Sequence, residues 1–243
     1  MNNQVKLFAF PFAGGSSMSF YKWRKHLNAS VQWFPVELAG RGTRQKAPLC
    51  QSFEEIVEDA YGQIRDQVRD GPFAFFGHSM GSLIAYEVAC LIRERRQLEP
   101  KLMFLSGRWA PHVTRHNLVD SSTPDELLKE RLLDLGGATD ELFDNKQLAD
   151  LFIPILRSDF RLMEGYACKP NIPPLSAAIH VLTGTKDTDV NQRDLTEWSK
   201  YTTGEFAIHK FAGGHFFIND SFESVLQHVN RAIDGLYVQG GQF

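Results

Sequence analysis

The chain has 243 residues, of which 43% are hydrophobic and 23% are charged, a balance typical of a soluble globular protein. Its formal net charge of −3 argues against general binding to nucleic acid, so any basic docking surface has to be local. The three cysteines, Cys50, Cys90 and Cys168, are odd in number and widely spaced, which argues against a disulfide framework and against a Cys-x-x-Cys metal site.

The N-terminal segment leads from Met1 directly into an apolar run between Val5 and Phe12. This run lacks the basic region and the small-residue cleavage site of a signal peptide. No apolar stretch is long enough to cross a bilayer. We therefore expect a cytoplasmic protein with reduced thiols and no membrane partner.

Short apolar segments alternate with helical patterns along most of the chain, which is typical of a mostly parallel β-sheet flanked by helices. The predicted strands are Val5 to Phe10, Val31 to Val36, Phe73 to Phe76, Leu102 to Leu105, Ala178 to Leu182 and Phe206 to Phe211. A helix with one apolar face follows Ser52, which forms a predicted capping box with Glu55. Another helix is predicted from Met80 to about Gln97, and a last one from about Phe222. The pattern predicts a single α/β domain over residues 1–243.

The alternation is interrupted at about residues 112–164, after the fourth strand. Thr123 is predicted to cap a helix that has Pro124 at its first position and Glu126 as the capping-box acid. A second helix has a predicted apolar face formed by Leu148, Leu151, Phe152, Ile155 and Leu156. A third, short helix is predicted from Arg157 to Tyr166. These patterns indicate a helical lid insertion over the carboxyl edge of the sheet; ordinary crossover helices are the alternative.

A candidate nucleophile lies in Gly77-His78-Ser79-Met80-Gly81, between the strand that ends at Phe76 and the helix that begins at Met80. A nucleophile elbow requires this strand–turn–helix context, because the serine sits in a sharp turn with small residues on both sides. The helix N-terminus then lies close to the negative charge that develops in acyl transfer. The motif predicts Ser79 as the nucleophile of an α/β-hydrolase fold.

A serine nucleophile needs a base, and the base needs a carboxylate to orient it. In this fold the chain order is serine, acid, histidine. His215 follows the last predicted strand on a glycine-rich loop, which suits the base. Asp187 and Asp189 both follow the fifth strand, and the residues alone leave the choice between them open.

The loop after the first strand, Pro11 to Gly15, occupies the position that supplies an oxyanion donor in this fold. We expect the backbone N–H groups of Ala13 and Met80 to form the oxyanion hole. The loop lacks both the Gly-x-Gly-x-x-Gly pattern and the Lys-Ser/Thr pair of phosphate-binding loops. We expect neither a cofactor nor a metal ion in the reaction.

Taken together, these segments resemble the type II thioesterases of nonribosomal peptide and polyketide assembly lines, over nearly the whole chain. The segments that carry the resemblance are Phe10 to Gly15, Leu38 to Gly42, Phe76 to Gly81, Ser106 to Pro111, Leu156 to Phe160 with Tyr166, Gly184 to Val190, and Gly213 to Phe217. The combination is far more specific than any one motif.

The resemblance implies hydrolysis of acyl thioesters from the phosphopantetheine arm of acyl or peptidyl carrier proteins. It also places the acid on Asp187 and implies that the insertion is a mobile lid. The sequence departs from the family pattern at Ala39, where proline is frequent, and at Trp109, where a small or charged residue is common. Neither position belongs to the triad, although Trp109 is expected to shape the acyl pocket.

Carrier proteins of this type are usually acidic, so a net negative enzyme needs a local basic patch to meet them. The candidate cations are Lys22, Arg24, Lys25, Arg41, Arg44 and Lys46. We expect these cations to lie near the carboxyl edge of the sheet. We also expect the protein to be a monomer. Two other functions stay open: a carboxylesterase or lipase acting on free esters, and a non-catalytic receptor for an acyl ligand.

Overall fold

A six-stranded sheet forms the centre of the protein, in a computed structural model that describes residues 4–115, 119–137 and 139–239. The strands are β1 Val5–Phe10, β2 Val31–Pro35, β3 Phe73–His78, β4 Leu102–Ser106, β5 Ala178–Gly184 and β6 Phe206–Phe211. Their order is β2-β1-β3-β4-β5-β6, and each neighbouring pair is parallel. Because the strands are all parallel, their carboxyl ends meet at one edge of the sheet. The predicted strands and the predicted fold class are confirmed.

The helices connect the strands and cover both faces of the sheet. They are α1 Phe53–Ile64, α2 Met80–Arg96, α3 Asp125–Leu135, α4 Asp140–Asp144, α5 Lys146–Glu164, α6 Gln192–Thr196, α7 Phe217–Asp220 and α8 Phe222–Gln239. No helix in the described ranges is long and apolar enough to cross a membrane. Only half of the predicted capping box forms at α1: the Ser52 hydroxyl accepts from the Glu55 N–H, but the Glu55 carboxylate accepts from Gln51 rather than from Ser52.

Alternate side chains of β1 enter two separate cores, because successive residues of a strand point to opposite faces. Phe8 and Phe10 pack in the core that contains α1 and α2. Leu7 and Ala9 pack in the core that contains α8. Burial on both faces explains why the strands are almost continuously apolar.

Three helices, α3, α4 and α5, lie between β4 and β5, within the predicted insertion at residues 112–164; residues 116–118 and 138 of that range lie outside the described residues. The predicted cap at Thr123 is wrong, because its hydroxyl bonds to Asp120 and no side chain caps α3. The predicted break at Arg157 is also wrong, because α5 continues through it. Pro154 lies inside α5 with its ring exposed, and the helix continues past the missing N–H.

The buried face of the insertion agrees with the predicted one at Phe152 and Leu156 and differs elsewhere. Leu148 and Leu151 are 46% and 66% exposed, so they do not belong to an underside that faces Ser79. The buried cluster is formed by Leu128, Leu132 and Leu156, with Phe143, Phe152 and Phe160 packed against it. The spacing of apolar residues did not predict this face, because it also contains Asp159, which is charged and yet fully buried.

Candidate active site

Ser79 lies in the sharp turn between β3 and α2, with φ +53° and ψ −117°. A residue with a side chain rarely adopts a positive φ, and such strained conformations cost about 1–3 kcal/mol. The turn is held by hydrogen bonds from the Ser79 N–H to the Ser106 carbonyl at 2.7 Å and from the Ser82 N–H to the Ser79 carbonyl at 3.0 Å. Gly81 is required beside it, because a Cβ there would collide with the carbonyl oxygen of Phe10.

The loops after β5 and β6 approach each other closely, and this contact positions the candidate acid and base. A Cβ at Gly184 would collide with the carbonyl oxygen of Gly214. Beyond this contact, His215 Nδ1 lies 2.9 Å from Asp187 Oδ2. The two side chains are 8% and 0% exposed, respectively, so water hardly weakens the pair.

The two candidate aspartates have different partners. Asp189 forms an ion pair with Arg131 of α3, and its N–H donates to Asp187 Oδ1 at 2.9 Å. Asp187 instead bonds to His215. The structure therefore brings His215 together with Asp187, while Asp189 connects the β5 loop to the insertion.

One cavity of about 340 Å³ contains both Ser79 and His215 in its wall. Its sheet side includes Phe12, Ala13, Gly107, Arg108, Trp109, Asp189, Val190 and Phe216, and its insertion side includes Val119, Arg131, Leu132, Leu135, Leu156, Phe160 and Met163. The volume is at the lower end of the range of about 300–1,000 Å³ for small-molecule sites. Most of the lining is apolar, which suits an acyl chain.

The two expected oxyanion donors are the backbone N–H groups of Ala13 and Met80. Ala13 lines the cavity directly, and Met80 is the first residue of α2, where the N–H groups have no partner within the helix. Within the described residues, neither the Ala13 N–H nor the Met80 N–H donates to a protein acceptor. The oxyanion role of these two N–H groups stays a prediction.

Asp159 of α5 supports the loop that follows β1, a role that sequence reasoning missed. Its Oδ2 accepts from the Gly14 N–H at 2.7 Å and from Arg41 at 2.6 Å, and its Oδ1 accepts from Arg41 at 2.7 Å. The signal in the sequence is a charged residue between Leu156 and Phe160, on the apolar side of a helix. Through Asp159 the insertion is joined to the loop that carries Ala13.

Arg41 is not a docking residue, which corrects the prediction for this cation. It is 4% exposed, and it makes a bidentate pair with Asp159 and a further bond to the Gly15 carbonyl at 3.2 Å. Arg44 is also engaged, with Asp59 at 2.6 Å, although its side chain remains 30% exposed. Lys22, Arg24, Lys25 and Lys46 are exposed.

Two further basic side chains, His78 and Arg108, lie near Ser79. Burial, with a smaller contribution from nearby His215, lowers the pKa of His78 well below its ordinary value, so His78 is neutral; its Nδ1 lies 2.9 Å from Ser106 Oγ. Burial also lowers the pKa of Arg108 to about 10, which leaves it charged at neutral pH. The Arg108 guanidinium lies over the Trp109 ring, 4.0 Å from its centroid, and lines the cavity. A polar atom of a ligand in the cavity can thus contact the charged Arg108 side chain.

The parallel sheet, the elbow after β3 and the Asp–His pair after β5 and β6 define a protein of the α/β-hydrolase fold. Within that fold, the family model described as "Thioesterase domain" matches residues 5–233. The chain belongs to the thioesterase domain family.

Characterised relatives agree with this assignment. The chain is 31% identical to the thioesterase PikA5 of Streptomyces venezuelae over 229 residues, which cover 94% of this chain and 81% of the relative. It is 35% identical to the medium-chain S-acyl fatty acid synthase thioesterase of Rattus norvegicus, over 88% of this chain and 81% of the relative.

Solved structures give the same result. ClbQ from the colibactin NRPS/PKS pathway matches with a TM-score of 0.91 and 35% identity, over 97% of this chain and 99% of ClbQ. YbtT, a type II thioesterase from the yersiniabactin NRPS/PKS pathway, matches with a TM-score of 0.84 and 29% identity, over 96% and 94% of the two chains. The resemblance to type II thioesterases is confirmed.

Proposed function

We propose that this protein hydrolyses acyl thioesters through a Ser79–His215–Asp187 triad. His215 takes the proton of the Ser79 hydroxyl as the oxygen attacks the thioester carbonyl, and Asp187 orients the imidazole. The N–H groups of Ala13 and Met80 stabilise the oxyanion. The thiol leaves with a proton from His215, and His215 then activates a water molecule that cleaves the acyl-enzyme.

The observation that carries this proposal is the buried His215–Asp187 pair at 2.9 Å, whose His215 lines the same cavity as Ser79. A carboxylate on Nδ1 fixes the tautomer that presents Nε2 as the base. A receptor that merely bound an acyl group would need neither the pair nor the positive φ at Ser79.

We further propose that the acyl group arrives on the phosphopantetheine arm of a carrier protein in a nonribosomal peptide or polyketide pathway. The pathway names of ClbQ and YbtT support this substrate class. The apolar cavity suits an acyl chain, and charged Arg108 suits an acyl group that also carries a carbonyl or hydroxyl oxygen.

Four exposed cations remain as candidates for docking an acidic carrier: Lys22, Arg24, Lys25 and Lys46. Lys22 and Phe12 line one surface groove, and Phe12 also lines the cavity that contains Ser79. A carrier bound at Lys22 would thus lie next to the entrance for its arm.

The nucleophile is tested by labelling with a fluorophosphonate and by hydrolysis assays. Ser79→Ala is expected to lose labelling and several orders of magnitude in kcat, because a triad acts as a unit. Ser122→Ala, at an exposed serine outside the cavity wall, is the control and should keep both. Absence of labelling in the wild type would favour the receptor, and more than a tenth of wild-type activity in Ser79→Ala would exclude this nucleophile.

The substrate class is tested by comparing kcat/KM for one acyl group on holo-carrier protein, on coenzyme A and as a simple ester. We expect the carrier to be the best substrate, with an advantage that shrinks at high salt and in a Lys22→Glu, Lys25→Glu double variant. Equal values for carrier and coenzyme A, unaffected by the double variant, would describe a general thioesterase. A preference for the ester would identify a carboxylesterase.

A further inference from the structure

Three histidines converge on the α8 face of the sheet, outside the active site. They come from three separate elements: His180 from β5, His209 from β6 and His228 from α8. His209 pairs in register with Leu182, two residues beyond His180, so the two strand histidines are diagonal neighbours on one face. One ring nitrogen of each histidine lies within 4.8 Å of the other two.

The ring nitrogens of this cluster are poorly satisfied by protein partners. His180 Nδ1 and His228 Nε2 lie 3.1 Å apart, so one of them donates to the other. His209 Nε2 is buried and has no hydrogen-bond partner within the described residues. A buried polar atom without a partner is rare in native proteins and calls for a specific cause.

A carboxylate lies where an outer-shell partner of a metal ligand is usually found. Glu205 Oε1 is 3.8 Å from His180 Nε2, on the opposite side of the ring from His228. This distance is too long for a hydrogen bond, but the charge of the carboxylate favours a proton on Nε2, which leaves the Nδ1 lone pair directed at the cluster. Histidines that bind metals commonly use the second ring nitrogen in this way.

The surroundings keep the cluster neutral. Burial lowers the pKa of each of the three histidines, and repulsion within the cluster adds to this for His180 and His228. For His228 the pKa is lowered to about 4, with Arg231 as the smallest contributor. Neutral imidazoles keep the lone pairs that a metal ion requires.

We propose that His180, His209 and His228 form a binding site for a divalent transition-metal ion of the zinc class. Imidazole nitrogens favour Zn²⁺ and its neighbours, whereas Mg²⁺ and Ca²⁺ require oxygen ligands. A tetrahedral ion with Zn–N distances of about 2.0–2.1 Å places its ligands roughly 3.3 Å apart. To reach this spacing, the His209 and His228 rings, whose centroids are now 3.9 Å apart, must rotate so that both point a nitrogen at the ion, and water takes the fourth position.

Such an ion would join β5, β6 and α8 at the edge of the sheet. The strands β5 and β6 lead into the loops that carry Asp187 and His215, whereas the cluster itself has no residue in the wall of the active-site cavity. The ion is thus expected to stabilise the edge of the sheet without taking part in the reaction. Binding to the folded chain alone raises Tm.

The test measures Zn²⁺ binding to the full chain without a histidine tag, by equilibrium dialysis and metal analysis. We expect one tightly bound ion per chain and a rise in Tm of several degrees with Zn²⁺ but not with Mg²⁺. His209→Asn and His228→Gln should each weaken binding at least tenfold and remove the rise in Tm. The exposed His112, which pairs with Glu197, provides the control His112→Gln, which should bind as the wild type does.

Two measurements on the wild type do not depend on the folding of the variants. The zinc X-ray absorption spectrum should show about three imidazole nitrogens, and Co²⁺ should give the visible bands of a tetrahedral ion. Failure to bind one ion per chain, or a ligand set dominated by oxygen, would overturn the proposal. Zn²⁺ binding that persists in both His209→Asn and His228→Gln and that inhibits hydrolysis would also overturn the proposal, because it would place the ion at His215.

Discussion

The two walls of the candidate active site are built in different ways. On the sheet side, close approaches between backbones fix Ser79, Asp187 and His215. On the insertion side, the helices pack around a small leucine cluster and are joined to the sheet side by two ion pairs, Arg41–Asp159 and Arg131–Asp189. Contacts between backbones thus fix the proposed catalytic residues, while the insertion side of the cavity depends on a few side chains. Substitutions should therefore separate loss of rate from loss of pocket structure.

The largest expected difference lies between the two neighbouring aspartates. Asp187→Asn should reduce kcat by about 10⁴-fold, because the amide favours the wrong tautomer of His215. Asp189→Asn removes only the partner of Arg131 and should change kcat by less than tenfold, with a larger effect on KM. Steady-state kinetics on a single acyl substrate measure both. If Asp189→Asn were the more damaging change, the acid would have been assigned to the wrong residue.

A smaller but still large effect is expected at the buried ion pair between the walls. Asp159→Asn leaves the buried Arg41 without a counter-charge, which typically costs about 3–5 kcal/mol in the free energy of unfolding. Asp59→Asn breaks the partly exposed pair with Arg44 and is the matched control, expected to cost at most about 1 kcal/mol. Urea unfolding measures both. Equal losses would show that the Arg41–Asp159 pair is no more important than a surface pair.

The leucine cluster gives a prediction confined to the insertion. Leu156→Ala should cost about 2–5 kcal/mol, because the side chain is fully buried. Leu151→Ala, on the exposed face of the same helix, should change stability by less than about 0.5 kcal/mol. Hydrogen exchange should show α3 and α5 opening more readily than the central strands, and more so in Leu156→Ala. Equal protection of helices and strands in the wild type would argue against a mobile lid.

The smallest expected effect is a dependence of the free energy of unfolding on pH, caused by the three histidines of the sheet edge. The pKa values of His180, His209 and His228 are lowered in the folded state, so the unfolded chain binds more protons below about pH 6.5. The free energy of unfolding should therefore fall as the pH falls toward 4, the approximate pKa of folded His228. Each histidine contributes at most about 1.4 kcal/mol per pH unit. In metal-free buffer, the free energy of unfolding of His228→Gln should depend less steeply on pH than that of the wild type. An equal slope would contradict the lowered pKa of His228.

The strands and the elbow could be predicted from the sequence because apolar periodicity and short-range turn chemistry determine them. The choice of Asp187 came from a family resemblance and not from the residues themselves, since loop aspartates next to each other look alike. Arg41 was assigned to a docking surface because nothing local shows that Asp159, far along the chain, neutralises it. The histidine cluster was missed for the same reason: its members lie on three different elements and meet only in the folded chain.

The backbone at Ser79 gives the protein an inherent conflict between folding and activity. Because glycine adopts a φ of +53° without penalty, the fold by itself would favour glycine at this position. Under the proposed mechanism, a serine occupies this position because the reaction needs its hydroxyl group. A lineage that lost the need for hydrolysis would therefore be free to gain thermal stability at this position, and such a gain would mark the loss of activity.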